Sequence, residues 1–486
     1  MTVGSDEYLR PMAETPRRRA GRRAASRPRG LEVLGPGALT AVVLGAFGAA
    51  VRLVWVFSMS RTPLGISDLT VYPAAARGIA NGDGYTSLFG TPTSYYPPGY
   101  PLFLGGLQWL LDRVGLDHDL VFTAGVAQAL LGGVTVGAAV LVGTRLGGRR
   151  LGPAVGVASG LLVALWPNLV MHSSLMLSES LYLAFAAVLL AAVVHAGAEA
   201  GEREHRGALV VAALAMGLCT FTRPQSALLL LPAFGIAWLV SGAGWRRTLL
   251  RVGALVAGIL VVVGPWTIRN AVVLDGFVPV SSNTGDNLCI GFNPDATGGF
   301  MAADFCETGE FYFDGPDAEV RRNSENQSKA LEWALGHLGE LPSLSWDKLR
   351  ITFENDRDAL AALESFGADD FLGSGARRTF ELTMDSWYVA MVALGAVGVV
   401  LVAVRTWGRR REDPTGMVVL FVALAGVLVP VSAFGDPRFK VPLEPTVALL
   451  AAFTLVQLGS WIRAARTERN DRTHRTERTE LADVAA

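Results

Sequence analysis

The chain holds 486 residues, 51% of them apolar and only 17% charged, with a formal net charge of −1. The charges are bunched, so stretches of about 20 residues stay nearly charge-free, long enough to cross a bilayer as helices. This patterning excludes a soluble globular enzyme and gives no reason to expect a nucleic-acid partner; the distribution of charge carries the information, and the total does not.

In chain order, residues 1–36 contain "PRRRAGRRAASRPRG" and read as a disordered basic arm. The apolar run behind it is too long for a signal-peptide core and lacks a small-residue cleavage site, so it is read as a retained anchor. Hydropathy predicts about ten spans, near residues 37–59, 120–144, 151–171, 178–198, 207–222, 225–241, 248–267, 386–404, 416–433 and 441–462. With that count the basic clusters "RLGGRR", "GEREHR", "GWRR", "RTWGRRRED", the arm and the tail at 463–486 all fall on one face. The positive-inside rule makes that face cytosolic and predicts a multi-pass plasma-membrane protein with both termini inside. No internal repeat of fixed period is evident, and the tail reads as disordered and mixed in charge.

The expected organisation is an N-terminal membrane module (37–268), a segment outside the cytosol (269–385) and a C-terminal membrane module (386–462). Within the first module, the loop at 60–119 is read as carrying the site and two interfacial helices. One covers Val71 to Ala80, with Val71, Ala75 and Ile79 on one face. The other covers Pro97 to Leu111; it is short, opens on a Pro-Gly turn, and counting it as a span would invert every later basic loop. The segment at 269–385 opens on turn-rich sequence and continues with two amphipathic helices, "VRRNSENQSKALEWALGHLG" and "PSLSWDKLRITFENDRDAL". Cys289 and Cys306 both lie in it and form a candidate disulfide outside the cytosol. "DRD" at Asp356 to Asp358 has the spacing of a metal-binding carboxylate pair, but is read as a solvated helical face.

The face away from the basic clusters gathers the groups that could do chemistry. Asp68 is either a cap for the helix behind it or a general base for an incoming hydroxyl. Glu179 is either a first-turn glutamate or a second carboxylate beside Asp68. Arg223, Arg269, Arg438 and Lys440 stand at span ends where positive charge is disfavoured; each alone could snorkel to headgroups, and together they could hold a phosphate. Tyr95, Tyr96 and Tyr100 in "SYYPPGYP", with Tyr72 one turn from Asp68, suit either an interfacial anchor or the wall of a sugar or isoprenoid site. Phosphate-loop, dinucleotide and hydrolase-elbow motifs are absent from the sequence, and it points to no cofactor and leaves metal dependence open.

Taken in order, "SDLTVYPAAARGIANGDGY", "YYPPGYPLFLGGL", "LSESLYL", "TRPQSALLLLP", "GPWTIRN", "NTGDNLCIGFNPDATG" and "GDPRFKVPLEP" resemble the polytopic glycosyltransferases of the GT-C superfamily, in the protein O-mannosyltransferase and aminoarabinose-transferase (ArnT-like) branch. The resemblance covers roughly Val51 to Leu450. It implies an all-α polytopic membrane fold of GT-C type with a small extracytosolic domain. It also implies inverting transfer of a sugar from a polyprenyl-phosphate donor to a glycan, lipid or protein acceptor outside the cytosol. By motif position it implies Asp68 as catalytic carboxylate and Arg223, Arg269, Arg438 and Lys440 facing the carrier phosphate. The reading of the residues adds Glu179 as a second catalytic carboxylate, and Tyr72, Tyr95, Tyr96 and Asn287 as candidate substrate contacts. O-mannosyltransferases of the branch carry Asp-Glu in the first loop, whereas Leu69 follows Asp68 here, which leaves the sugar open. The competing expectation is a transporter or flippase for a lipid-linked or anionic envelope precursor, which would carry ionisable residues deep within spans and an inverted repeat.

Overall fold

The computed structural model describes residues 36–116, 119–196, 206–301, 304–306, 315, 317–411 and 413–485. The predicted basic arm lies outside them. Sixteen α-helices run through these residues: α1 (Pro36–Met59), α2 (Asp68–Asn81), α3 (Gly99–Arg113), α4 (Leu120–Ala164), α5 (Pro167–Met171), α6 (Glu179–Ala196), α7 (Arg206–Thr222) and α8 (Gln225–Val240). There follow α9 (Trp245–Val273), α10 (Thr284–Gly291), α11 (Ala318–Gly336), α12 (Leu341–Phe353), α13 (Asp358–Leu363), α14 (Ser374–Arg409), α15 (Thr415–Leu428) and α16 (Glu444–Ala485). Among the described residues β-structure is limited to two isolated bridges, Thr86 with Pro92 and Gly299 with Gly435.

Among the described residues six helices are long and apolar enough to cross a membrane: α1, α4, α6, α9, α14, and α16 with the turn before it. The apolar helices α7, α8 and α15 are shorter. The chain is a helical membrane protein. The 45-residue α4 is two limbs folded back on each other at Gly148, whose φ of 63° and ψ of −166° leave the helical region. A Cβ at Gly147 would meet the Gly152 backbone at 2.6 Å, and one at Gly143 would meet Ser159 Oγ at 2.5 Å, so the limbs are in backbone contact. Small residues set other close crossings too: α7 and α9 meet where a Cβ on Gly258 would lie 1.9 Å from the Ala213 carbonyl.

Two helix limits differ from the sequence reading. The segment expected from Arg269 to Asp385 is shorter, because α9 continues to Val273 and α14 begins at Ser374. The tail expected to be disordered continues α16 to Ala485, consistent with a run free of Gly and Pro and with an i,i+4 pair between Arg472 and Glu468 at 2.7 Å.

Neither α2 nor α3 is a candidate span. Ser67 is the N-cap of α2, its backbone N–H bonded to Thr70 Oγ1 at 3.1 Å, and Gly82 ends the helix in the left-handed region at φ 88°. Leu69, Tyr72 and Ala76 of α2 pack with Tyr100 and Leu104 of α3 against Met171, Leu175 and Leu177, and against Leu360 of α13. Between α9 and α14, Cys289 and Cys306 are joined as a disulfide with Cα atoms 6.2 Å apart. Glu319 at the start of α11 ties this segment to the first loop: it accepts from Thr93 Oγ1 at 2.6 Å, from Ser94 N and Oγ at 2.9 and 3.0 Å, and from Ser282 Oγ at 2.5 Å. Asp286 makes a second tie, accepting from Tyr95 Oη at 2.7 Å and pairing with Arg322 at 3.1 Å.

A candidate active site where four segments meet

Asp68 is the first residue of α2, Glu179 the first of α6, Arg223 lies in the break between α7 and α8, and Arg438 lies on the 3-10 turn Pro437–Leu443 that leads into α16. That turn starts for local reasons. Asp436 caps it, accepting from Arg438 N at 2.8 Å, and Pro437 occupies the first position, where no N–H is needed. Ser67 serves as the cap of α2, so the Asp68 carboxylate is left to point into the space between segments.

The four side chains form an alternating chain of charge. Arg438 Nη1 donates to Asp68 Oδ2 at 2.5 Å, while its Nε and Nη2 engage the two oxygens of Glu179, the latter at 3.3 Å. Arg223 Nη2 donates to Glu179 Oε1 at 2.6 Å, the oxygen that also accepts from Arg438 Nε. The order is Asp68, Arg438, Glu179, Arg223, and the formal charges cancel. Glu179 is fully buried, whereas the side chains of Asp68 and Arg438 keep 25% and 19% of their exposure, so the opening of the site is at Asp68. The first-turn reading of Glu179 is therefore too weak, since a carboxylate at zero exposure persists only with cationic partners.

Aromatic rings wall the Asp68 end. Tyr72 meets Tyr96 and Tyr100 edge to face, each pair of centroids 5.2 Å apart. Both Tyr72 and Tyr96 stand beside Asp68; burial first, and the Asp68 charge next, push their phenols above the usual range, so both stay protonated. At the Arg223 end an apolar groove opens between α4, α6, α8, α15 and α16, walled by Ala138, Val142, Leu190, Leu230, Phe234 and Leu449.

Other expected site residues are placed elsewhere. Arg269 is spent on the first loop: its Nη1 donates to the Thr93 carbonyl at 2.7 Å and its Nη2 to that of Tyr85 at 3.0 Å. Because α9 extends past it, its side chain leaves a helix flank sideways toward that loop, and the phosphate-facing expectation is corrected on that ground. Lys440 is 1% exposed and pairs with Asp356 at 3.0 Å and Asp358 at 3.5 Å, which corrects its assignment to the same phosphate. Tyr95 is buried, its hydroxyl committed to Asp286, and in the "GDNL" stretch it is Asp286 that carries the tie to the first loop, while Asn287 is half-buried on α10. The "DRD" carboxylates are not a solvated face: the helix breaks between α12 and α13, and Asp356 and Asp358 turn inward to Trp166, Asn168 and His172. His172 and the "DRD" pair were visible as polar residues in sequence, but their mutual pairing carries no local signal. Among the described residues no group of three or more His, Cys, Asp or Glu side chains is arranged to hold a metal ion.

No known family model matches the sequence, and no curated protein is significantly similar to it. Among solved structures it is similar to the archaeal oligosaccharyltransferase AglB from Archaeoglobus fulgidus in complex with an inhibitory peptide and a dolichol-phosphate. The identity is 14% and the TM-score 0.54, over 90% of this chain and 52% of that one. The apo form of the Archaeoglobus fulgidus oligosaccharyltransferase gives 13% and 0.53 over the same shares. ArnT from Cupriavidus metallidurans bound to undecaprenyl phosphate is matched at 18% identity and a TM-score of 0.40, over 86% of this chain and 78% of that one. The chain thus spans about half the length of the oligosaccharyltransferase chains. At such identities the likeness is one of architecture: over most of its length the chain shares the fold of part of these oligosaccharyltransferase structures.

Proposed function

We propose that this protein is a membrane glycosyltransferase that moves a sugar from a polyprenyl-phosphate donor to an acceptor hydroxyl on the extracytosolic face, with inversion. The observation that carries the reading is the self-neutralised chain Asp68–Arg438–Glu179–Arg223, open to solvent at its carboxylate end and to an apolar groove at its arginine end. A phosphate on an isoprenoid chain matches that polarity: the head meets two guanidinium groups and the tail lies in the groove. The oligosaccharyltransferase of the same fold is described in complex with a dolichol-phosphate, a ligand of this kind. The two limbs of α4, the three shorter apolar helices and the other five long ones give ten spans, with both termini cytosolic. The Cys289–Cys306 disulfide supports an oxidising location for the segment between α9 and α14.

In the resting site Arg438 occupies Asp68. The donor's phosphate competes for that guanidinium, and its arrival frees the carboxylate. Asp68 then takes the acceptor's proton as the acceptor oxygen bonds to the anomeric carbon and the bond from that carbon to the phosphate oxygen breaks. The leaving group is a phosphate monoester, a weak base, so Arg438 and Arg223 stabilise its charge and no strong acid is needed. Donor therefore binds before acceptor. Glu179 holds both arginines in place, and Tyr96 orients the base. The sugar remains open, as Leu69 follows Asp68.

The test is transfer from a panel of polyprenyl-phosphate sugars by purified protein. Wild type should release free polyprenyl phosphate from one donor, and Asp68→Asn should lose that release while still binding the lipid phosphate. Full turnover by Asp68→Asn would defeat the assignment; lipid crossing the bilayer without any donor cleavage would favour a flippase.

A further inference from the structure

Behind the catalytic chain of charge lies a second charged assembly that the reaction does not use. Lys440 stands two residues past Arg438 on the same turn, yet its side chain runs to the opposite side. Its ammonium meets Asp356 Oδ1 at 3.0 Å, Asp358 Oδ1 at 3.5 Å and the Pro437 carbonyl at 3.0 Å. An ammonium has three N–H donors, and these three acceptors occupy them, leaving none for a phosphate. Asp358 Oδ2 meets His172 Nε2 at 2.9 Å, and the His172 carbonyl accepts from Ser180, the neighbour of Glu179. Asn168 donates to Asp356, Asp358 and Glu444 at 3.2, 3.0 and 2.9 Å, and Trp166 donates to Asp356 at 3.0 Å.

The assembly joins three separate parts of the chain: the stretch between α4 and α6, the start of α13, and the turn that carries Arg438. Three carboxylates face one ammonium, with His172 the other group able to carry positive charge, and Tyr388 of α14 presents its ring 5.3 Å from the Lys440 Nζ. Asp436 caps the same turn by accepting from Arg438 N and is a further carboxylate within electrostatic reach of Asp358, Arg438 reaches Asp68 and Glu179, and Arg357 faces away, toward Asp385 and Glu381. Burial pushes Asp356 above the usual carboxylate range, whereas at Asp358 Lys440 and His172 overcome burial and hold it below.

We propose that Lys440 is a positioning residue: by binding Asp356 and Asp358 it locks the Arg438 turn to the segment between α9 and α14, and so fixes Arg438 between Asp68 and Glu179. The proposal rests on the glycosyl-transfer reading for its kinetic consequences and on the charge balance alone for its structural ones.

The experiment uses full-length protein in detergent, with undecaprenyl phosphate as the binding probe and donor turnover as a function of pH. Arg438→Gln should weaken lipid-phosphate binding by tenfold or more, roughly the effect of losing a charged contact. Lys440→Met should bind the lipid within about threefold of wild type but lose about tenfold or more in kcat, because position and not phosphate contact is lost. Its kcat should recover as pH falls from 8 to 5.5, since protonating a carboxylate removes the charge left without a counterion. Adding Asp358→Asn to Lys440→Met should recover activity and Tm at neutral pH without acid. Loss of lipid binding in Lys440→Met parallel to Arg438→Gln would make Lys440 a phosphate ligand and overturn the proposal. A pH-independent defect with no rescue would also overturn it. If wild type neither binds nor turns over any donor, the functional reading fails, and the lock is judged from Tm: rescue by Asp358→Asn upholds it, additive losses refute it. If Lys440→Met alone does not fold, folding of the double variant is itself the rescue, and failure of both overturns the lock.

Discussion

Lys348 offers a worked prediction of how burial sets stability. It lies on α12 at 1% exposure, its ammonium 3.4 Å from the centroid of the Phe292 ring and without a hydrogen-bond acceptor among the described residues. Burial pulls this amine from the usual 10.5 down to about 7. The unfolded chain therefore binds the proton up to about pH 10.5 and the folded chain only below about pH 7, so stability rises with pH across that window and the full cost is present below it. At about 1.4 kcal/mol for each pH unit, the 3.5 units between those values set a ceiling of about 5 kcal/mol. The Phe292 ring favours the ammonium and returns about 0.5–2 kcal/mol of it. Lys348→Met keeps the length and removes the charge. Thermal unfolding in detergent, followed by helical circular dichroism from pH 6.5 to 10.5, should show the variant more stable than wild type by several kcal/mol near pH 7. The gap should close toward pH 10.5; other titrating groups cancel in the difference. A variant that is less stable at pH 7, or a difference that stays flat with pH, would mean that the buried Lys348 amine carries no such cost.

Gly435→Ala places a Cβ 2.4 Å from the Lys348 carbonyl and 2.9 Å from that of Gly298, both backbone atoms that cannot move aside alone. It should cost about 1–3 kcal/mol in stability and, by shifting the Asp436–Arg438 turn, reduce donor turnover, measured as Tm and kcat together. Arg269→Leu removes the two donors to the Tyr85 and Thr93 carbonyls; amide exchange should rise in residues 82–97 while the affinity for lipid phosphate stays unchanged. Glu319→Gln leaves one acceptor oxygen where a carboxylate received four donors, two of them from Ser94. A loss of about 1–3 kcal/mol is expected, read from Tm, with faster exchange in the first loop.

Much of the architecture was legible because hydropathy and turn chemistry are local. The apolar stretches map onto the long helices, the Gly-Gly pair in "RLGGRR" marks the reversal of α4 at Gly148, and the short helix after "PPGYP" is not a candidate span. In the candidate site, the sequence motifs single out Asp68 and Arg438, and the two side chains meet at 2.5 Å. Failures came where direction mattered more than position. Arg438 and Lys440 look equivalent in sequence, but residues two apart on a 3-10 turn project about 120° apart, so one reaches Asp68 and the other Asp356. Arg269 sits at the expected end of its helix, yet hydropathy says nothing of the carbonyls that its fork finds on another loop. The "DRD" pair fits a helical pattern until the break between α12 and α13 turns it inward, and its partners Trp166 and Asn168 are more than 180 residues away in sequence.

The most direct measurement is single-turnover cleavage of a polyprenyl-phosphate sugar by wild type, Asp68→Asn, Arg438→Gln and Arg223→Gln, with lipid binding recorded alongside. Wild type should free the lipid phosphate. Asp68→Asn should bind the donor and not cleave it, and the two arginine variants should lose binding first. Cleavage that survives Asp68→Asn, or donor binding that ignores both arginines, would contradict it.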